Sequence, residues 1–192
     1  MKRQHITALM IVSTSMLVVS VMLAAQGQDR FTLKAANGIA FSEFRGYDAW
    51  ETIATSQPDD AGGCGTSKDG CTKVILGNPV MIKAYKAGIP ANGQPVPDGA
   101  AIAKVEWAKV RNDASPYGVT VPGAQREVAF MLKDSKRFPE TNGWGYATFQ
   151  YDAASNTFKP HSDNPNFSRT CHSCHTRGAK GRDYVYTSYA HR

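Results

Sequence analysis

Residues 101–110, AIAKVEWAKV, alternate in the way that is typical of a half-buried β-strand. One face of this strand would hold Ala101, Ala103, Val105 and Trp107, and the other Ile102, Lys104 and Glu106. The same alternation recurs in residues 127–133 and 143–152, and shorter strands are predicted at 72–76 and 184–189. Several strands with a few short helices predict an α+β fold that is mainly an antiparallel sheet.

Two short helices are predicted ahead of residue 101. Residues 44–53 place apolar side chains at helical spacing. Asn78 followed by Pro79 is a typical helix start, and the helix Pro79–Lys86 should end before Gly88. Residues 89–99 and 152–168 are expected to be irregular.

Composition and charge narrow the class of protein. The chain has 192 residues, 42% hydrophobic and 20% charged, which suits one domain of ordinary size. Its formal charge of +6 is mild and shows no block of basic residues, so nucleic-acid binding is not indicated. We expect residues 41–192 to form a single domain, after a flexible segment at 26–40.

The first 25 residues are typical of a secretory signal peptide. Lys2 and Arg3 precede an uncharged stretch at residues 6–25, which ends in the small residues Ala24 and Ala25. An uncleaved membrane anchor is the alternative, although the Ser and Thr residues within the stretch weaken it. Export to the periplasm is therefore predicted.

The four cysteines fall into two pairs. Cys64 and Cys71 flank a short Gly-rich loop, and in an exported chain a local disulfide is the expected outcome. The alternative, a metal site shared with the second pair, fits poorly with the spacing of zinc ligands.

The second pair forms the motif Cys171-His172-Ser173-Cys174-His175, which is typical of c-type haem attachment. Two thiols bond to the two vinyl groups of the porphyrin, and the adjacent His175 becomes the axial iron ligand. A helical turn would bring these three side chains to one side, whereas His172 is expected to be an exposed spacer. A chance match in a thioredoxin-like protein is less favoured, because no βαβ unit surrounds the motif.

The motif lies close to the C-terminus, and no methionine follows it. Met81 and Met131 lie in apolar runs and are expected to fill the core. His161 and His191 remain as alternative sixth ligands, although a lone histidine in a polar loop is more often solvated. The iron would then be five-coordinate with one open face, which favours gas binding or catalysis over electron transfer alone.

Ordered along the chain, several short pieces resemble the cytochrome P-460 family and its relative cytochrome c'-beta. The pieces are Gly46-Tyr47-Asp48-Ala49-Trp50, Leu76-Gly77-Asn78, Pro97-Asp98-Gly99, Ile102-Ala103-Lys104, Val121-Pro122-Gly123, residues 131–136, Gly143-Trp144-Gly145 and the haem motif. The resemblance implies an exported, antiparallel β protein with one covalently attached haem c, a homodimer, and a separate redox partner protein. In cytochrome P-460 a lysine is bonded to the porphyrin and hydroxylamine is oxidised, whereas cytochrome c'-beta lacks this bond and binds nitric oxide.

The resemblance also implies roles for individual residues of this chain. Cys171 and Cys174 would hold the haem, His175 would ligate the iron, and Lys104 resembles the cross-linking lysine. Lys73 stands where hydroxylamine-oxidising members have a distal arginine, and Asp163 is the candidate for their distal carboxylate.

Two functions remain open at this point. The first is an oxidoreductase acting on hydroxylamine or nitric oxide, and the second is a non-enzymatic cytochrome that binds nitric oxide or passes electrons. A base beside the haem favours the first, because proton removal from hydroxylamine requires one. A pocket lined by apolar groups such as Phe130 or Phe149 favours the second.

Overall fold

The computed structural model describes residues 28–58, residue 64 and residues 70–189. It contains one six-stranded sheet in which each strand pairs antiparallel with the next in sequence. The strands are β1 (Glu51–Ser56), β2 (Cys71–Gly77), β3 (Ala101–Asn112), β4 (Val119–Lys133), β5 (Trp144–Asp152) and β6 (Thr157–Pro160). The α-helices are α1 (Pro79–Lys86) and α2 (Phe167–Ala179). Short 3-10 helices occupy Arg30–Thr32, Phe41–Phe44, Tyr47–Ala49, Pro139–Thr141 and Lys180–Arg182. The predicted α+β class with a mainly antiparallel sheet is confirmed.

The sheet separates two hydrophobic cores, because alternate residues of each strand point to opposite faces. The first core is rich in aromatic rings, with Phe44 stacked on Phe130 at 3.9 Å between centroids. Phe149 is fully buried in this first core. Alternation along β3 is confirmed, since Ala103 and Val105 face the first core and Ile102 faces the second.

The second core lies between the sheet and two covering segments. Helix α1 contributes Met81 and Ile82, and the chain after α2 contributes Tyr184 and Val185. Both segments pack on the face that carries Ile102. This face therefore carries apolar side chains and also charged side chains of neighbouring strands, among them Lys73 and Lys104.

Helix α1 has the predicted bounds, and the side chain of Asn78 explains where it begins. Its Oδ1 accepts hydrogen bonds from the backbone N–H of Met81 at 2.9 Å and of Ala101 at 3.0 Å. Its Nδ2 donates to the carbonyl of Gly99 at 2.8 Å. One side chain thus caps the helix and fixes the start of β3.

Two secondary-structure predictions are wrong. Residues 44–53 form no α-helix: after the 3-10 helix Tyr47–Ala49 the chain enters β1 at Glu51, where pairing with β2 outweighs the helical spacing. Residues 184–189 form no strand, because Asp183 and Tyr184 have positive φ angles of 45° and 64° and turn the chain onto the second core. In addition, β6 lies within the region 152–168 that was expected to be irregular.

The described part of the N-terminal region contacts the sheet. The side-chain amide of Gln28 exchanges two hydrogen bonds with the backbone of Phe158, and Ile39 is fully buried. The predicted signal peptide lies outside the described residues. No helix within the described ranges is long and apolar enough to cross a membrane.

The predicted disulfide is confirmed: Cys64 and Cys71 are bonded, with their Cα atoms 5.5 Å apart. Cys171 and Cys174 are both free thiols. Within the described ranges no group of three or more His, Cys, Asp or Glu side chains could hold a metal ion. The alternative of a metal site shared by all four cysteines is therefore wrong.

Candidate haem-binding site

A cavity of about 580 Å³ lies between the second face of the sheet, helix α2 and the chain that follows it. The three motif side chains predicted to hold haem, Cys171, Cys174 and His175, all line this cavity. Its volume falls in the range of pockets that hold small molecules and cofactors. Much of its wall is apolar, and the apolar lining side chains include Ile75, Ile102, Ala129, Met131 and Val185.

Helix α2 brings the motif side chains together, because residues three and four apart lie on the same side of a helix. Cys171 is half-buried, and burial raises the pKa of its thiol to about 11. Cys174 is exposed, with its Sγ 3.8 Å from the hydroxyl of Tyr186. One thiol thus lies within the cavity and the other at its rim.

The ring of His175 is held in one orientation. Its Nδ1 lies 2.7 Å from the carbonyl oxygen of Tyr184. Since a carbonyl can only accept, Nδ1 carries the proton and donates it, which leaves a lone pair on Nε2. Tyr146 and Tyr186 contact the ring, with centroids at 5.0 and 4.8 Å. Burial lowers the pKa of His175, which keeps the ring neutral.

These residues fit a c-type haem. Two free thiols face one cavity. The neutral imidazole of His175 presents an unprotonated Nε2 as a possible iron ligand, and its Nδ1 is hydrogen-bonded to a backbone carbonyl. A histidine that ligates a metal usually donates its other ring N–H to such a carbonyl.

Lys104 and Lys73 line the same cavity from the sheet. Lys104 on β3 has its Nζ 3.3 Å from Glu127 on β4, and its side chain is 35% exposed. Lys73 on β2 is paired with Glu106 at 3.6 Å, and the two residues are direct partners in the strand register. Burial is the main cause that lowers the pKa of Lys73, and the charge of Lys104 adds to it.

Two carboxylates, Glu106 and Glu127, lie directly opposite each other on β3 and β4. Their mutual repulsion is offset by cations, because Arg126 lies 3.5 Å from Glu106 in addition to the two lysines. Glu106 is 4% exposed, which makes it a buried and paired carboxylate. The role of neither carboxylate was predicted from the sequence, although the alternation of β3 already placed Glu106 on the face of Lys104.

Asp163 is not brought to this site. It is exposed in the loop before α2 and does not line the cavity. No carboxylate is found among the described residues that line the cavity. The carboxylate that pairs with Lys104 is that of Glu127, 3.3 Å from its Nζ.

A second, more polar cavity of about 670 Å³ adjoins the first. Lys104 and Thr148 line both cavities, so the two share a wall. Glu106, Glu127 and His161 line the second cavity. His161 therefore lies outside the haem cavity, and His191 lies outside the described residues.

The two methionines differ in position. Met81 is fully buried in the second core, as expected for a core residue. Met131 packs against the same core and also lines the haem cavity.

His172 is not the exposed spacer that was predicted. It is half-buried, with Nδ1 3.2 Å from the hydroxyl of Tyr146 and Nε2 3.2 Å from Oδ1 of Asn142. Burial is the main cause that lowers its pKa, and the charge of Lys133 adds to it. The residue between the two cysteines therefore anchors α2 to the sheet and to the β4–β5 loop.

The order of these features along the chain matches a known family. A sequence model of cytochrome P-460 matches residues 44–187, about three quarters of the chain. The chain belongs to the cytochrome P-460 family. Membership identifies it as a c-type haem protein and implies a haem cofactor. No curated protein matches the chain.

Proposed function

We propose that this member of the cytochrome P-460 family is a periplasmic mono-haem protein that oxidises hydroxylamine or acts on nitric oxide. The observation that carries the proposal is the position of Lys104, which lines the same cavity as Cys171, Cys174 and His175 and pairs with a carboxylate. A lysine and a carboxylate, which is a potential base, thus accompany the predicted haem ligands.

Cys171 and Cys174 would hold one haem c through thioether bonds, and Nε2 of His175 would ligate the iron. The bound haem would supply the redox chemistry and the open coordination position for a small nitrogen compound. Lys104 is the candidate for a covalent bond to the porphyrin edge, as in cytochrome P-460. Lysine has the reach for this role and, when deprotonated, a nucleophilic amine.

Removal of protons from hydroxylamine needs a positioned base. Asp163 was the candidate from sequence, but Glu127 is better placed, at 3.3 Å from the Nζ of Lys104. Lys73 would face the substrate as the distal cation, and burial and the charge of Lys104 make its ammonium easier to deprotonate than that of an exposed lysine. We therefore propose Glu127, which lines the adjoining cavity beside Lys104, as the proton acceptor and Lys73 as a substrate-orienting group.

The absorption spectrum of the reduced protein tests the role of Lys104. We expect wild type to absorb far to the red of an ordinary c-type haem, and Lys104→Ala to show an ordinary spectrum and to lose hydroxylamine oxidation. Lys136→Ala, at an exposed lysine of the β4–β5 loop, serves as the matched control and should behave as wild type. If wild type and Lys104→Ala both showed the spectrum of an ordinary c-type haem, Lys104 would have no bond to the porphyrin and the proposed cross-link would be refuted.

A non-enzymatic protein that binds nitric oxide or passes electrons is the second candidate. It is favoured by the apolar wall of the cavity and by Ala129, the direct partner of Lys104 in the register, which offers no base. Met131 in the wall is also a candidate sixth ligand for an electron carrier. Stoichiometric nitric oxide binding without hydroxylamine turnover would favour this candidate.

We also propose a homodimer and a separate redox protein that exchanges electrons with the haem, because the family resemblance implies both. Sedimentation of the purified protein tests the dimer. A sedimentation coefficient of a monomer across the accessible concentration range would contradict it.

A further inference from the structure

Lys133, the last residue of β4, is a buried lysine that does not line the haem cavity. It is 4% exposed. Its Nζ donates to Oδ2 of Asp183 at 2.8 Å and to the carbonyl of Asn142 at 2.9 Å. The Nζ also lies 5.0 Å from the centroid of the Trp144 ring. A buried ammonium is costly unless it is paired and hydrogen-bonded, and these contacts meet that need.

Asp183 connects this lysine to the chain that follows α2. Its Oδ2 also accepts from the backbone N–H of Val96 at 2.9 Å. Its carbonyl accepts from Nε1 of Trp144 at 2.9 Å. The carboxylate and the carbonyl are thus both fixed by residues that belong to other elements.

The hydrogen bonds of Asp183 hold the chain in an unusual turn at Asp183 and Tyr184. Asp183 and Tyr184 have φ angles of 45° and 64°, in the left-handed region that non-glycine residues seldom adopt. For a bulky residue such as Tyr184 this conformation is disfavoured and persists only where the surroundings impose it. The turn directs the carbonyl of Tyr184 back toward α2, where it accepts a hydrogen bond from the Nδ1–H of His175 at 2.7 Å.

The same lysine also reaches the other flank of the motif. Lys133 binds the carbonyl of Asn142, and the side chain of Asn142 contacts Nε2 of His172 at 3.2 Å. One buried cation therefore joins the two segments that contact the histidines of α2.

We propose that Lys133 and Asp183 are positioning residues for His175, which act through the carbonyl of Tyr184 to fix the orientation and raise the basicity of its imidazole. The inference rests on the proposed role of His175 as axial ligand. A hydrogen bond from the far nitrogen of a ligating histidine strengthens it as a ligand, and loss of such a partner typically weakens metal binding 10–100-fold.

The test uses the haem-loaded protein and three variants. Asp183→Asn removes the charge with little change of shape, Lys133→Met removes the cation, and Lys136→Met replaces an exposed lysine three residues away as the control. The iron–histidine stretching band of the ferrous protein reports the strength of the axial bond. Nitric oxide, used as a probe, reports how readily His175 leaves the iron, as the ratio of five- to six-coordinate ferrous nitrosyl.

We expect the stretching band to fall in frequency in Asp183→Asn and Lys133→Met, and the five-coordinate fraction to rise about tenfold or more relative to the six-coordinate one. Lys136→Met should match wild type. Because both residues act through one ion pair, the double variant should show no further shift beyond the larger single effect.

Each outcome decides a separate point. An unchanged band and ratio in Asp183→Asn would overturn the inference even if that variant is less stable, since a merely structural role predicts only the loss of stability. If Lys133→Met does not fold, Asp183→Asn alone decides. A wild type without an iron–histidine band would instead refute His175 as the axial ligand, which is a failure of the proposed site itself.

Discussion

His172 and His175 lie three residues apart on α2, and their hydrogen bonds give them different roles. The Nδ1 of His175 donates to a backbone carbonyl and its Nε2 is left for a ligand, whereas both nitrogens of His172 contact protein groups. Burial lowers the pKa of His172 below its ordinary value of 6.5. Below about pH 6.5, His172 therefore binds a proton more readily in the unfolded chain than in the folded protein. The free energy of unfolding falls as the pH falls through this range.

The residue-scale prediction concerns this proton. Wild type should lose more free energy of unfolding between pH 7.5 and pH 5.5 than His172→Gln, because glutamine cannot titrate. Urea denaturation of both proteins at the two pH values measures the difference, and His175 and the carboxylates cancel in the comparison. An equal loss in the two proteins would show that His172 is protonated as easily in the folded state as in the unfolded one.

At the same scale, local motifs were predictable and long-range partners were not. Cys171, Cys174, His175 and Lys104 were found from spacing and from resemblance, and all four line one cavity. Glu127, Lys133 and Asp183 were missed because their significance depends on contacts across strands or 50 residues apart in sequence. Nothing in the local pattern of a lysine at the end of a strand indicates that it is buried and paired.

Among the elements, those with an explicit boundary signal were predicted most accurately. Asn78 and Pro79 gave the start of α1, and alternation gave the faces of β3. Residues 44–53 and 184–189 were misassigned because their conformation is decided by pairing with β2 and by the turn at Asp183, which are tertiary effects.

The element-scale prediction concerns Asn78. Asn78→Ala removes the helix cap and also leaves the backbone N–H of Ala101 and the carbonyl of Gly99 without their side-chain partner. An ordinary cap contributes about 1 kcal/mol, and the two further lost bonds bring the expected loss of stability to about 2–3 kcal/mol. Denaturant unfolding measures it, with Asn166→Ala as the control, because this exposed N-cap residue of α2 makes no side-chain cap hydrogen bond and its loss should stay within about 0.5 kcal/mol. Equal effects in both variants would mean that the Asn78 contacts contribute little.

At the scale of the whole molecule, the sheet separates the first hydrophobic core from the second core and the haem cavity, and acts as a partition between them. Its first face packs against Phe41 and Phe44, and its second face forms most of the wall of the haem cavity, to which Phe130 of the first core also contributes. Side chains of equal hydrophobicity should therefore differ in function according to the face they cover. Phe44 is 1% exposed in the first core, and Ile102 is 5% exposed in the second and lines the cavity.

The last prediction compares these two positions. Phe44→Leu removes a ring that stacks on Phe130 and should lower the free energy of unfolding by about 1–3 kcal/mol while the haem spectrum and nitric oxide affinity stay unchanged. Ile102→Val removes one methyl group and should cost only about 1 kcal/mol, yet it enlarges the cavity and should shift the haem absorption and the nitric oxide affinity. Denaturant unfolding, absorption spectra and nitric oxide titration of the haem-loaded variants separate the two effects. A spectral change in Phe44→Leu as large as that in Ile102→Val would show that the first core is coupled to the haem cavity through the sheet, contrary to the partition.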